Sequence, residues 1–247
     1  MSEQKYCFTI QLAATPIEIE ARYPATKNFC RDYLTDATAV ARVKLPQEKL
    51  DWEKAYLTRQ NQSVGLGAKT YPDAYLETWA AYRATTMALV QQNAFVMLGA
   101  AVAVDGLGYL VIAKKGTGQN THASLARQLF GPDALMLSEE KPILKLTQEG
   151  ILVYGSPWDG RGHGAGAAGV PLSGVCMLMR DAANGIERVP RTQSYPLLVP
   201  QTYHPTDPQS MAKTLSMVDT LASAVPLYRM SCNMTPEAMR MACEMMR

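Results

Sequence analysis

The chain has 247 residues, of which 47% are hydrophobic and 19% are charged. A chain of this length and composition forms one large domain or two small ones with a full apolar core, which excludes extended disorder. Its 24 lysines and arginines nearly balance its 22 aspartates and glutamates, which leaves a net charge of +2. This balance provides no overall field for a polyanion, so we predict no nucleic-acid partner.

We predict neither an export signal nor a membrane-spanning segment in this sequence. Its first residues, MSEQKYCFTIQLAATP, lack an apolar run of signal-peptide length, and no later stretch approaches the ~20 apolar residues that span a bilayer. We therefore expect a cytoplasmic protein with no membrane partner. The five cysteines are scattered without CxxC or Cys/His spacing, which predicts free thiols and neither a disulfide framework nor a zinc site.

Residues 1–92 are predicted to form a smaller N-terminal β/α lobe. Two β-like runs, 7–12 and 17–21, open it, and the second alternates apolar and acidic residues as a half-buried strand does. Two segments of helical spacing follow, each with an apolar stripe that we interpret as core. The stripes comprise Leu50, Trp52, Ala55 and Tyr56 within 45–57, and Leu76, Trp79, Ala80, Ala84 and Met87 within 75–90.

Residues 93–247 are predicted to form a core of mixed sheet with helices, which makes the fold α/β, with α+β as the alternative. Two apolar runs within 94–113 are joined by the sequence DGLG, a pattern typical of a hairpin. A glycine-rich run, GRGHGAGAAG at 160–169, predicts a mobile lid. Further strands are predicted at 134–137 and 170–179, and further helices at 211–225 and 235–246.

The most informative segment is YLVIAKKGTGQNTH at 109–122, where an apolar strand leads into a glycine-containing turn and then a helical pattern. This order of elements lets backbone N–H groups and a helix N-terminus receive a phosphate. A Walker A loop, however, needs glycine, four residues, glycine, lysine and then a hydroxyl residue. Here those positions hold Ala113, Gly118, Gln119 and Asn120. The loop therefore keeps the backbone pattern and lacks the characteristic side chains.

Five ordered blocks carry a resemblance to a known family: GTGQNTH (116–122), SEEKP (138–142), YGSPWDGR (154–161), VPL (170–172) and NGIERV (184–189). Together they resemble the HPr kinase-like P-loop proteins, which have a phosphoenolpyruvate carboxykinase-type fold. The corresponding family segments read approximately SGTGKSTH, NDDKP, YGTPWxGK, VPL after an asparagine, and ENxI. Looser similarity extends over most of the chain.

The resemblance implies ATP bound over the loop 113–121, Mg²⁺ held by a loop side chain and acidic residues, and phosphoryl transfer to a hydroxyl. By position, Glu139 and Glu140 are the implied catalytic residues, and Asn120 and Glu139 are the implied metal ligands. The implied cofactor-binding residues are Lys115, Gly116, Thr117, Gly118, Gln119, Asn120, Thr121 and Arg161.

The chain departs from the family pattern at positions that matter for the chemistry. Gln119 replaces the phosphate-binding lysine and Asn120 replaces the metal-binding serine. Glu139 and Glu140 replace two aspartates. Leu98 stands at the position of a frequent histidine, Arg161 at that of a lysine and Ala167 at that of an asparagine. Phosphoryl transfer depends on positioning and on neutralising charge at the phosphoryl oxygens. One such contact is worth roughly 3 kcal/mol, or about two orders of magnitude in rate. Several losses predict weak or absent transfer.

The sequence thus predicts a pseudokinase-like protein, a degenerate relative that binds a nucleotide or phosphate with little or no phosphoryl transfer. Two alternatives stay open. One is an active ATP-dependent kinase of a Ser/Thr hydroxyl or a small molecule. The other is an accessory module that binds a peptide or protein partner without nucleotide. Absence of nucleotide binding would separate the last alternative from the first interpretation.

Overall fold

The structure is a computed structural model that describes residues 5–65, 67, 69–113, 134–159, 168–233 and 235–246. The chain divides into two compact units, one of Met1–Gln11 and Thr15–Leu89, the other of Leu12–Ala14 and Val90–Arg247. Within the described ranges, no helix combines the length and the apolar character needed to cross a bilayer.

The described residues of the first unit form a three-stranded sheet, three α-helices and a short 3-10 helix at Arg31–Tyr33. The strands lie in the order β1-β2-β3, and β2 and β3 are parallel. Their bounds are β1 Tyr6–Leu12, β2 Thr15–Ala21 and β3 Ala41–Lys44, and the helices are α1 Pro24–Phe29, α2 Gln47–Ser63 and α3 Asp73–Gln91. The two predicted N-terminal strands and the two predicted helices are therefore confirmed.

The buried carboxylate of Glu77 on α3 fixes the start of α1. Its two oxygens accept hydrogen bonds from the backbone N–H groups of Arg22 and Tyr23 and from the Thr26 hydroxyl. The N-terminus of a helix leaves N–H groups without intrahelical partners, and a carboxylate satisfies them well. Glu77 thus replaces the side-chain cap that Tyr23, the residue before α1, does not provide.

The predicted apolar stripe of α2 is wrong at two of its four positions, because Trp52 and Ala55 are exposed while Tyr56 is half-buried. Leu50 is buried, but Trp52 is 40% exposed, and the buried face also carries the charged Glu53. Glu53 accepts a hydrogen bond from Nε of Arg83 on α3 at 2.5 Å. The Arg83 guanidinium lies 4.8 Å and 4.5 Å from the ring centres of Trp52 and Tyr56, which stack on each other. The aromatic rings therefore cover a buried ion pair from outside.

The turn between β1 and β2 is strained. Ala13 and Ala14 both adopt left-handed backbone conformations, with φ of 47° and 50°. This two-residue turn suits the twist of a hairpin but normally carries asparagine or glycine, because a Cβ disfavours positive φ. Ala14 is exposed, so its side chain makes no core contact in return.

We expect Ala14→Gly to raise the free energy of unfolding by about 0.5–1 kcal/mol, since glycine relieves the strain at positive φ. Chemical denaturation followed by circular dichroism measures this change. Ala37→Gly, at an exposed position without positive φ, is the matched control and should be neutral or slightly destabilising. If Ala14→Gly loses as much stability as the control, the claim that the backbone is strained at Ala14 is contradicted.

The second unit is built on a mixed sheet. In the described part of the chain the strand order is β4-β8-β9-β10-β6-β5-β7, with β12 between β10 and β11. The strands are β4 Ala94–Val96, β5 Ala100–Val104, β6 Leu107–Ala113, β7 Ala134–Ser138, β8 Ile143–Thr147, β9 Gly150–Tyr154, β10 Val170–Arg180, β11 Gly185–Arg188 and β12 Leu227–Cys232. The helices are α4 Arg191–Leu198, α5 Pro208–Ala224 and α6 Pro236–Met246.

Apolar side chains cover both faces of β6. Leu110 and Ile112 belong to a core cluster that includes Val218 and Leu221 of α5. Tyr109 and Val111 belong to a second cluster that includes residues of α6. A strand buried on both faces between helices is typical of an α/β protein. The predicted α/β fold class is therefore confirmed.

The predicted hairpin is confirmed, with one correction. Asp105 and Gly106, both at positive φ, form the two-residue turn between antiparallel β5 and β6. The apolar run 95–104, predicted as one strand, is interrupted at 97–99 and forms β4 and β5, which pair with β8 and β7 respectively. The predicted free thiols are also confirmed: all five cysteines are free, and burial raises the pKa of Cys30 to about 12.

Candidate functional site

Four strands of the second unit end at the same edge of its sheet. β6 and β7 are both antiparallel to β5, β10 is parallel to β6, and β12 is parallel to β10. Their last residues are Ala113, Ser138, Arg180 and Cys232. Ligands of open α/β sheets bind outside the carboxyl ends of parallel strands. We call this carboxyl edge the candidate site.

Hydrogen bonds bring the link between β4 and β5 to this edge. The Gly99 N–H donates to the Glu140 carbonyl oxygen at 3.0 Å, and the Leu98 N–H donates to the Gln201 carbonyl oxygen at 2.6 Å. A Cβ on Gly99 would lie 2.6 Å from the Val111 carbonyl oxygen, so only glycine allows this close approach to β6. Leu98, at the family's histidine position, is 38% exposed beside the acidic block.

The acidic block 139–140 lies in the turn that follows β7. The Ser138 hydroxyl accepts a hydrogen bond from the Lys141 N–H at 3.1 Å, which fixes this turn. The Glu140 carboxylate pairs with Nζ of Lys141 at 2.8 Å, and the Lys141 side chain is only 13% exposed. Glu139 and Glu140 are each partly buried. Both predicted catalytic residues thus lie at the carboxyl edge, and Lys141 balances one of them.

The segment YGSPWD, residues 154–159, is largely buried. Tyr154 pairs with Ile143 at the start of β8, so the segment leaves β9 near Lys141. Trp158 and Asp159 are 4% and 3% exposed, and the buried Ser156 hydroxyl has no hydrogen-bond partner among the described residues. Burial also raises the pKa of the Tyr154 hydroxyl. This block is therefore a packed part of the unit.

The predicted phosphate loop lies outside the described residues. This applies to Lys115, Gly116, Thr117, Gly118, Gln119, Asn120, Thr121 and Arg161, to Ala167, and to residues 160–167 of the predicted lid. The described strand β6 ends at Ala113, the residue at the first glycine position of the loop pattern. The loop therefore begins at the carboxyl edge, and the roles of its residues stay predictions.

The described residues do not fit a complete metal centre. No three histidine, cysteine, aspartate or glutamate side chains of this part of the chain come together as a metal site. The two carboxylates at 139 and 140 are hard oxygen donors of the kind that Mg²⁺ prefers. Of the two predicted metal ligands, Glu139 lies at the carboxyl edge and Asn120 is outside the described ranges.

Three charged residues of this edge were missed from the sequence. Lys141 pairs with Glu140, Arg180 ends β10, and the N–H of the following Asp181 donates to the carbonyl oxygen of Cys232, the last residue of β12. The signal for Lys141 was its place in the block SEEKP. Arg180 and Asp181 had no motif of their own, and only the parallel register of β6 and β10 brings them to this edge.

Comparisons with known proteins give a distant structural similarity and no match by sequence. No protein-family model matches the chain, and no curated protein matches it. Among solved structures, it is similar to the Hpr(Ser) kinase/phosphatase from Coxiella burnetii, with 8% sequence identity and a TM-score of 0.37. The similarity covers 60% of this chain and 93% of that protein.

Proposed function

We propose that the second unit binds the phosphate groups of a nucleotide, or of another phosphorylated ligand, at the carboxyl edge and transfers phosphoryl groups weakly or not at all. One observation carries the proposal: the segment GTGQNTH follows the central strand β6 at the edge where four strands of the same direction end. Backbone N–H groups of such a loop bind phosphate whatever its side chains are.

The charges at this edge argue against efficient catalysis. The ionisable residues placed there above are the carboxylates of Glu139, Glu140 and Asp181 and the cations of Lys141 and Arg180. Anions outnumber cations, and the lysine that the family places in the loop is Gln119 here. A transferring phosphoryl group needs surrounding positive charge, and a neutral amide supplies only a hydrogen bond.

ATP and Mg²⁺ are the cofactors that the proposal includes. Bound Mg²⁺ would neutralise charge on the phosphate oxygens, and Glu139 and Asn120 are the residues that would hold it. The amide oxygen of Asn120 binds Mg²⁺ more weakly than the hydroxyl and carboxylate oxygens that the family provides. We therefore expect nucleotide binding that is weak and depends only slightly on Mg²⁺.

Thermal denaturation with nucleotide tests the proposal. A ligand that binds only the folded state raises the melting temperature, and at about 100 times its dissociation constant it adds about 2.7 kcal/mol of stability. Titration with ATP, ADP and pyrophosphate, each with and without Mg²⁺, should raise the melting temperature, and labelled ATP should show little transfer. Rapid transfer to a hydroxyl acceptor would establish the alternative of an active kinase. No shift with any of these ligands would favour the accessory module that binds a peptide or protein without nucleotide.

Glu139→Gln provides a test within the edge itself. Without Mg²⁺, the Glu139 carboxylate repels a bound phosphate, so the substitution should strengthen ADP binding about threefold to tenfold, or by about 1 kcal/mol. Calorimetry without metal measures this gain. The control is Glu149→Gln, an exposed carboxylate in the turn between β8 and β9, which should leave the affinity unchanged. If Glu139→Gln binds ADP more weakly, the proposal that the carboxyl edge binds phosphate without metal is contradicted.

A further inference from the structure

The first unit contains a pocket that the proposed function does not use. It has a volume of about 230 Å³ and lies on the sheet, between the ends of β1, β2 and β3. Its lining residues are Lys5, Glu20, Ala21, Arg22, Lys44, Leu45 and Pro46. Three of these side chains are cationic and one is anionic, while Ala21 and Leu45 are buried and supply an apolar floor.

The excess of positive charge arises from the register of β2 and β3. Glu18 lies opposite Arg42 and forms an ion pair with it. Glu20 lies opposite Lys44, yet its carboxylate accepts a hydrogen bond from Lys5 at 2.5 Å. Among the described residues, one carboxylate thus faces two lysines at this end of the sheet, whereas Arg42 has a carboxylate of its own.

The charge of Lys44 reaches the pocket. The hydrogen bond from Lys5 lowers the pKa of Glu20, and the charges of Lys5, Lys44 and Arg42 lower it further, against the opposing effect of desolvation. The Glu20 side chain is 15% exposed, so it lies at the base of the pocket while the two lysines extend toward solvent. Arg22, two residues after Glu20, adds a third cation to the lining.

We propose that this pocket binds a small organic anion, with Lys44, Lys5 and Arg22 around its charged head and Ala21, Leu45 and Pro46 against its apolar part. The head is a phosphate monoester or a carboxylate, because both place negatively charged oxygens among lysine and arginine donors. The volume limits the ligand to a few carbon atoms beyond the head, since drug-sized ligands need about 300 Å³ or more.

The test is a titration of the ¹⁵N-labelled full chain, followed by the amide resonances of Ala21 and Leu45. The probes are butyl phosphate and butyrate, with butylamine as the probe of opposite charge. Both anions should shift these resonances with dissociation constants of about 1–10 mM, as befits a small exposed site. The tighter of the two identifies the head group. Absence of shifts with both anions, or equal shifts with butylamine, would overturn the proposal.

A pair of variants separates the pocket from the general charge of the sheet. Lys44→Gln removes a cation that lines the pocket, and we expect it to weaken anion binding about fivefold or more, with recovery in Lys44→Arg. Arg42→Gln removes another exposed cation, two residues earlier on β3 and paired with Glu18, and should change binding less than about twofold. Equal losses in Lys44→Gln and Arg42→Gln would overturn a specific pocket. The proposal that the carboxyl edge binds a nucleotide does not depend on either result.

Discussion

The double substitution Gln119→Lys with Asn120→Ser is expected to raise the affinity for ATP about tenfold to one hundredfold. Returning a cation and a hydroxyl to the loop that follows β6 adds hydrogen bonds to charged phosphate oxygens, and the expected gain corresponds to about 1.5–3 kcal/mol in total, the value of one such bond when well placed. The loop backbone, which the proposal takes to be shaped for phosphate, needs no rebuilding. Calorimetric titration of both proteins measures the gain.

Turnover should recover far less than affinity in the same protein. Phosphoryl transfer also needs a placed base and acceptor-side residues, and Leu98, Arg161 and Ala167 remain different from the family pattern. The double substitution Gln119→Met with Asn120→Ala, which adds neither cation nor hydroxyl, is the control and should bring no gain. Equal ATP affinity in the unaltered and the Lys/Ser proteins would mean that the loop does not hold phosphate.

Arg83→Met is expected to lower the free energy of unfolding by about 2–4 kcal/mol, the second largest effect we predict. The substitution leaves the Glu53 carboxylate, whose side chain is 2% exposed, without its cationic partner. Oε2 of Glu53 already lacks a hydrogen-bond partner in the described part of the chain, so no neighbour compensates for the loss. Urea denaturation followed by tryptophan fluorescence suits the measurement, because Trp52 lies against Arg83.

The pH dependence of this variant follows from the same carboxylate. Desolvation raises the pKa of Glu53, while the hydrogen bond and charge of Arg83 oppose the rise. Without Arg83 the folded-state pKa rises further above the unfolded value, so the folded variant favours the protonated carboxyl. The stability that Arg83→Met loses relative to the unaltered protein should therefore shrink as the pH falls through the pKa of Glu53. It should be larger at pH values above that pKa.

Two controls define what the ion pair contributes. Arg229→Met breaks an exposed pair with Glu187 and should cost less than about 1 kcal/mol. Glu53→Gln combined with Arg83→Met removes the buried charge and should recover part of the lost stability. If Arg83→Met loses no more stability than Arg229→Met, the ion pair between Arg83 and Glu53 is not buried in solution.

Much of the fold could be predicted because several elements carry local signals. Asp105 and Gly106 specify a two-residue hairpin turn, and the helices α3 and α5 repeat apolar residues at helical spacing. β3 could not be found, because only Val43 of its four residues is buried and its other positions are partly or fully exposed. The stripe of α2 misled for a related reason: Glu53 is buried only because Arg83, thirty residues later, neutralises it.

The candidate site could be predicted as a set of motifs but not as an arrangement. The blocks at 116–122 and 138–142 point to one edge, because both follow apolar strands. The pair between Glu140 and Lys141 and the place of Arg180 depend on registers across β5, β6 and β10, which join residues far apart in the chain. A single sequence contains no local signal for such pairings.

The central claim is that phosphate binds at the carboxyl edge of the second unit. The most direct measurement is a titration of the ¹⁵N-labelled protein with ADP in the absence of Mg²⁺, followed by the amide resonances across the chain. We predict saturable shifts at residues 139–141 and at Arg180 and Asp181, with the turn between β8 and β9 around Glu149 unaffected. Titration to high ADP concentration without shifts at these residues, or with shifts confined to other parts of the chain, would contradict the claim.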